Sequence, residues 1–200
     1  MMKRLFDMLL SGVGLLASAP LWGIIAAAIK LDDGGPVFFV QPRVGKGGRL
    51  FRAYKFRSMI PESAGAPPRQ ASGNDPRVTR IGAWLRATAM DELPQLFNIL
   101  RGDMSFVGPR PLMPDEIELR GDGRAMSLVE VPGYAARHAV RPGLTGLTQV
   151  FAPRDIARTS KFRLDLLYVK RANLCLDFRL VALSFWISFR GRWEHRGPKV

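Results

Sequence analysis

Residues Met8 to Ile29 carry no charged side chain, and this apolar run constrains the chain more than any other feature. As a helix, its 22 residues would extend about 33 Å, close to the thickness of bilayer hydrocarbon. Pro20 lies inside the run and removes a backbone donor, while Lys3 and Arg4 precede it and Lys30 follows. Positive charge at both ends favours keeping both on one side of a membrane. A helix bent at Pro20 would enter one leaflet and return, with Ser18 or a neighbouring segment satisfying the backbone groups freed at the bend. Residues 1–31 are therefore read as a re-entrant membrane helix and residues 32–200 as one further compact domain.

Other readings of the run are weaker. Lys3-Arg4, the apolar stretch and Ala17-Ser18-Ala19 imitate a signal peptide, but the run continues past Pro20 to Ile29. A buried core helix would normally show a polar stripe. Gly12-Val13-Gly14-Leu15-Leu16-Ala17, with Asp32 and Asp33 downstream, formally fits a dinucleotide fingerprint, yet no βαβ alternation follows.

Thirty Lys and Arg against seventeen Asp and Glu give a net charge of +13. That excess points to anionic partners: nucleic acid, anionic lipid or phosphorylated small molecules. Cys175 is the only cysteine, so no internal disulfide forms, and two histidines without a thiol cluster give no zinc pattern.

After Asp32-Asp33-Gly34-Gly35-Pro36, Val37–Val40 and Leu50–Phe56 read as strands of a small hairpin around Gly45-Lys46-Gly47-Gly48. Lys55 and Arg57 share one face of the second strand and could face an anion. Pro61 to Asp75, rich in Pro, Gly, Ala and Ser, reads as a mobile loop. Ile81, Trp84 and Leu85 have the spacing of a short amphipathic helix that Arg86 closes.

Asp91 and Glu92 then open a helix carrying Leu93, Leu96, Phe97 and Leu100, with Pro94 in its first turn. An acidic pair there can simply cap the helix and answer its dipole. Arg77, Arg80, Arg86, Arg101 and Arg110 around it favour a phosphoryl-transfer site instead. Arg110 stands between Pro109 and Pro111, a stiff mount for a phosphate clamp. Arg141-Pro142-Gly143-Leu144-Thr145-Gly146 repeats Arg beside Pro, with glycines that permit close backbone approach. Thr159–Arg171 reads as a helix with Phe162, Leu166 and Val169 on one side, whereas Leu174–Leu180 alternates like a strand. Phe178, Phe185, Trp186, Phe189 and Trp193 among basic residues suit contact at the level of lipid headgroups.

In order, Lys3-Arg4-Leu5-Phe6-Asp7, Tyr54–Met59, Leu85-Arg86, Asp91–Asn98, Gly102–Pro111 and Arg141–Gly146 resemble the bacterial sugar transferase family of monotopic polyprenyl-phosphate phosphoglycosyl transferases, over nearly the whole chain. The resemblance implies an α+β, mostly helical fold with a small hairpin, a re-entrant helix, and a catalytic domain at the cytosolic face of the bacterial inner membrane. It looks like the minimal catalytic form, helical from Leu174 through Phe189. The implied reaction moves a phospho-sugar from a UDP-sugar to undecaprenyl phosphate and opens assembly of a lipid-linked glycan such as an exopolysaccharide or O-antigen.

By the same resemblance Asp91 is the nucleophile that releases UMP and becomes a covalent phospho-sugar adduct. Glu92 helps hold Mg²⁺ or orient Asp91, so both are implied metal ligands. Lys55, Arg57, Arg86, Arg110 and Arg141 are the implied substrate-binding residues. Membrane lipids, downstream glycosyltransferases and a second copy of the chain are the expected partners, and nucleic acid is not. The family places Ser directly before the bend Pro, whereas here Ala19 precedes Pro20 and Ser18 lies one step back.

Two other classes remain on residues alone. A basic nucleic-acid-binding module would explain the charge, but not the apolar run or the carboxylate pair. A nucleotide-cofactor oxidoreductase would explain only the glycine pattern.

Overall fold

The computed structural model describes residues 2–60, 75–119, 125–153, 156–191 and 193. The loop expected from Pro61 lies outside them except for its last residue, Asp75.

Helix α1 (Met2–Asp33) contains the whole apolar run, Pro20 included, and is long and apolar enough to cross a membrane. Only 11% of its most apolar stretch is buried, which rules out a core helix. Leu5, Met8, Leu9, Val13, Leu16, Ile24 and Leu31 are exposed, leaving an apolar stripe with no protein cover. Gly12–Ala17 lie within the continuous helix, without the strand-to-helix turn a dinucleotide fingerprint requires. Near Pro20, the Ser18 hydroxyl donates to the Leu15 carbonyl at 3.4 Å and accepts from the Trp22 indole at 3.0 Å.

The start of α1 is fastened to the domain by the residues of the Lys-Arg-Leu-Phe-Asp motif. Lys3 pairs with buried Asp177 at 2.6 Å. Arg4 donates to the carbonyls of Ile99 (2.5 Å) and Leu100 (2.6 Å), in the last turn of α3 (Gln95–Arg101). A cation suits that end of a helix, where carbonyls lack intrahelical partners. Asp7, 1% exposed, accepts from the Ser105 hydroxyl and the Phe106 amide. Phe6, Leu10 and Leu15 pack on the main core around Leu96, Ile99 and Phe106. Beyond Pro20, Leu21, Trp22, Ile25 and Ile29 join Phe56 and Leu85 in a second cluster.

Among the described residues, three two-stranded sheets accompany the helices, which agrees with a mostly helical α+β chain. Strands β1 (Phe38–Val44) and β2 (Leu50–Phe56) form the expected antiparallel hairpin. Its first strand runs four residues beyond Val40, through Pro42, a residue tolerated where no ladder donor is needed. The connecting turn places Gly47 and Gly48 at φ 65° and 79°, where a side chain would be strained. Strands β3 (Ser105–Val107), β4 (Ile117–Leu119) and β5 (Ala125–Ser127) follow; β4 and β5 pair with each other.

After α4 (Tyr134–Arg137), strand β6 (Gly143–Thr145) lies parallel to β3. This pairing brings Gly102–Pro111 beside Arg141–Gly146. A Cβ on Gly143 would fall 2.0 Å from the Gly108 nitrogen, and one on Gly146 would fall 2.3 Å from the Gly108 carbonyl oxygen. Gly108, Gly143 and Gly146 therefore serve close backbone contact, as the pattern of Arg141–Gly146 implied.

Helices α5 (Leu147–Phe151), α6 (Arg158–Arg171) and α7 (Leu174–Phe189) are the last elements among the described residues. The helix implied by the family resemblance from Leu174 through Phe189 forms, against the strand-like alternation of Leu174–Leu180: Asn173 caps α7 by accepting from the Leu176 amide, and Asp177, Leu180, Val181 and Ile187 turn inward at helical spacing. Seven alternating residues are too few to separate the two periods. Phe178, Phe185, Trp186 and Phe189 are exposed, whereas Trp193 packs half-buried against the main core.

Candidate active site

Helix α2 (Arg80–Ala87) is capped by Thr79, whose hydroxyl accepts from the Gly82 amide. The chain then reverses through Ala89, held at φ 57°. A non-glycine residue in that region costs about 1–2 kcal/mol, so the surrounding packing must impose it. The next turn, Met90–Glu92, carries both carboxylates. Asp91 and Glu92 do not begin α3, which starts after Pro94, and Asp91 does not cap it. Both are buried, 7% and 6% exposed, where a simple capping acid would remain in solvent.

Their partners come from distant parts of the chain. Lys55 on β2 donates to Glu92 Oε1 and its Nζ stands 3.7 Å from Asp91 Oδ2. Arg110 Nη2 lies 3.1 Å from the same Glu92 oxygen. Burial disfavours the Glu92 anion, but Lys55 and Arg110 outweigh it and hold the carboxyl down at about 2. At Asp91 burial prevails over Lys55 and, with the neighbouring Glu92 charge, pushes the carboxyl above its usual value. Arg86, whose Nη1 donates to the Met59 sulfur at 3.1 Å, lies near enough to favour the Asp91 anion. Two adjacent carboxylates are thus differentiated: Glu92 is an anchored anion, and Asp91 is the less stabilised and more basic one.

Arg43, Lys55, Glu92, Gln95, Arg110 and Gly143 line one cleft. The expected substrate residues divide accordingly. Lys55, Arg86 and Arg110 converge on the carboxylates. Arg57 instead pairs with Asp33 at the end of α1, against Gly35, and Arg141 Nε donates to the Gly102 carbonyl at 2.7 Å.

Arg43, Gln95 and Arg137 escaped the sequence reading. Arg43 and Gln95 sit in recognisable segments, but only the strand register and the turn after Asp91 direct them to the cleft. Arg137, 2% exposed, pairs with Asp165 and donates through Nη2 to the Arg110 carbonyl at 2.6 Å. It thereby fixes the backbone of a residue whose side chain grips Glu92. Thr148 donates to Asp165 at 2.6 Å, and His138 Nδ1 faces the Tyr134 carbonyl at 2.8 Å. With that nitrogen donating, His138 Nε2 is left to accept from Arg137 Nη1 at 3.2 Å. Burial and the Arg137 charge lower His138 to about 4, so it is neutral at physiological pH. Asp165 and Tyr168 sit among the buried residues of α6, where hydrophobic spacing alone would not place them.

Among the described residues no group of three or more His, Cys, Asp or Glu side chains forms a metal cage. Asp91 and Glu92 nevertheless suit Mg²⁺, which takes one or two carboxylates and completes its shell with water and substrate phosphates.

The sequence pattern of the family described as bacterial sugar transferase matches residues 1–191. An undecaprenyl-phosphate glucose phosphotransferase of Komagataeibacter xylinus is 46% identical over 188 residues, covering 91% of this chain and 35% of that protein. The exopolysaccharide production protein PSS of Rhizobium leguminosarum bv. phaseoli is 44% identical over 188 residues, covering 90% of this chain and 91% of its own length. A UDP-N-acetylgalactosamine-undecaprenyl-phosphate N-acetylgalactosaminephosphotransferase of Aeromonas hydrophila is 42% identical over 183 residues, covering 90% and 41%. The chain thus spans between a third and a half of the two longer relatives and nearly all of the shorter one. The apolar first helix, the buried carboxylate pair among cations and the match over nearly its whole length agree: the chain belongs to the bacterial sugar transferase family.

Proposed function

We propose that this chain is a membrane phosphoglycosyl transferase that moves a sugar phosphate from a UDP-sugar to undecaprenyl phosphate, with Asp91 as nucleophile. The observation that carries the reading is the buried Asp91–Glu92 pair held by Lys55 and Arg110. An Asp91 oxygen attacks the sugar-bearing phosphorus, the bond from that phosphorus to the bridging oxygen breaks, and UMP leaves with the bridging oxygen. The phosphate of undecaprenyl phosphate then attacks the same phosphorus and expels the Asp91 carboxylate, forming the lipid diphosphate sugar.

Glu92 remains ionised and holds Lys55 and Arg110 in place. Those cations offset the repulsion between a carboxylate and a diphosphate, the main electrostatic obstacle in phosphoryl transfer. Mg²⁺, held by Asp91 and Glu92, would supply further charge neutralisation. The relatives' names support a hexose or acetamido-hexose donor and a role in exopolysaccharide synthesis. The observations lend no support to nucleic-acid binding or cofactor oxidoreduction as the function.

Purified protein with Mg²⁺ and undecaprenyl phosphate should release UMP from UDP-glucose or UDP-N-acetylgalactosamine. Without the lipid, intact mass should show one covalent sugar phosphate. UMP release without any adduct, under rapid quenching, would remove Asp91 from the nucleophile's role.

The same reading places the domain at the cytosolic face of the inner membrane, with the exposed stripe of α1 in lipid and Phe178, Phe185, Trp186 and Phe189 at the headgroups. A return at Pro20 would keep both ends of α1 on the cytosolic side, with Ser18 and Trp22 as polar groups beside the bend. Pro20→Ala should let the helix span, so that a label on Met2 becomes accessible from outside. A label that stays inside in that variant counts against the bend.

A further inference from the structure

We propose that Arg43 is a phosphate-binding residue of the cleft, adding a third cation to Lys55 and Arg110. This deepens the transferase reading and rests on it for the identity of the ligand. Arg43 lies on β1 opposite Phe51 and lines the cleft beside Glu92 and Arg110. Its guanidinium donates to Gln41 Oε1 at 2.5 Å and to the Pro111 carbonyl at 3.3 Å, both neutral acceptors.

The cleft's other charges are committed. Lys55 and Arg110 both bind Glu92, and Arg86 acts on Asp91 beside them. Arg43 forms no ion pair among the described residues. Burial first, then the Arg110 and Arg158 charges, outweigh the pull of Glu116 and Glu92 and bring its pKa down to about 10, so it stays charged while poorly solvated. A confined charge without an anion in contact is unfavourable, and an anion between Arg43 and Arg110 would relieve both. The two neutral acceptors hold the planar guanidinium in position, which favours a two-point grip on phosphate oxygens.

The phosphate could belong to the donor's diphosphate or to the lipid acceptor, and the ligands tested separate them. Binding of UDP-glucose, UDP-N-acetylgalactosamine, undecaprenyl phosphate and inorganic pyrophosphate would be measured on the full chain in lipid nanodiscs. Wild type would be compared with Arg43→Gln and Arg43→Lys, and each protein's unliganded Tm recorded. Arg43→Gln should weaken binding roughly 10- to 100-fold, as expected for losing a charge-assisted contact, and Arg43→Lys should recover part of it. The unliganded Tm of Arg43→Gln should not fall, because an unpaired confined charge has been removed.

Loss confined to the UDP-sugars assigns Arg43 to the donor, and loss confined to undecaprenyl phosphate assigns it to the acceptor. Unchanged binding of all four ligands overturns the proposal, as does a fall in Tm with binding retained. Pyrophosphate binding that depends on Arg43, with no binding of either UDP-sugar or the lipid, would sink the transferase reading and keep the phosphate site.

Discussion

Asp91→Asn is expected to lower UMP release by at least about three orders of magnitude, the scale of losing a nucleophile, without loosening the fold. The substitution preserves size and removes the charge. Burial raises the Asp91 pKa above 3.8 in the folded state, so the folded protein prefers the neutral carboxyl more than the unfolded chain does. That preference stabilises the fold fully below the unfolded value and is lost as pH rises through the folded one. Above the folded pKa the ionised group therefore opposes folding, and Asn, neutral at every pH, should leave Tm unchanged or raise it by a few degrees. UDP-sugar binding should persist, because Lys55, Arg110 and Glu92 remain. Activity and Tm falling together would indicate that Asp91 has a structural role instead.

Arg137→Met should be the most destabilising single change outside the carboxylate pair. It leaves Asp165 buried at 3% exposure with Thr148 as its remaining side-chain partner, a loss of about 3–5 kcal/mol when a buried pair is broken from one side. For a chain of this size that lowers Tm by on the order of 10 °C. Adding Asp165→Asn should restore much of it, since the stranded charge goes. The Arg110 carbonyl loses its donor in both variants, so activity should stay low after stability recovers. Recovery of both together would leave Arg137 with only a structural role.

The same cluster gives wild type a pH signature. His138 titrates near 4 in the folded state against 6.5 when unperturbed, so the unfolded chain binds its proton first on acidification. The stabilisation is complete above pH 6.5 and is lost as pH falls towards 4. In Arg137→Met the window should narrow, because one cause of the depression is gone. Tm recorded from pH 4 to 8 for both proteins would show it.

Features resting on short-range periodicity were legible in the sequence: the apolar helix, the hairpin, and the helices over Arg80–Ala87 and Arg158–Arg171. Leu174–Phe189 was legible as a helix only through the family resemblance, because its first seven residues fit both periods and burial against the main core selects the helix. At the site, Asp91, Glu92, Lys55 and Arg110 could be named from their motifs. Arg57 and Arg141, also named from their motifs, lie instead against Asp33 and Gly102.

Nothing local in a strand or a proline-flanked loop tells which arginine will reach a carboxylate 18 residues away and which will fasten the scaffold. The amino-acid order was enough to establish the long apolar first helix, the chemical types at the site and the family. Which cations surround Asp91, that Glu92 anchors them, that Arg137 holds Arg110 from behind and that Arg43 forms no ion pair among the described residues followed from the packing of β2, α4 and the parallel β3–β6 pair. The physical reason is range: helix and strand signals act over a few residues, whereas each of these ion pairs joins segments that meet only when the core closes.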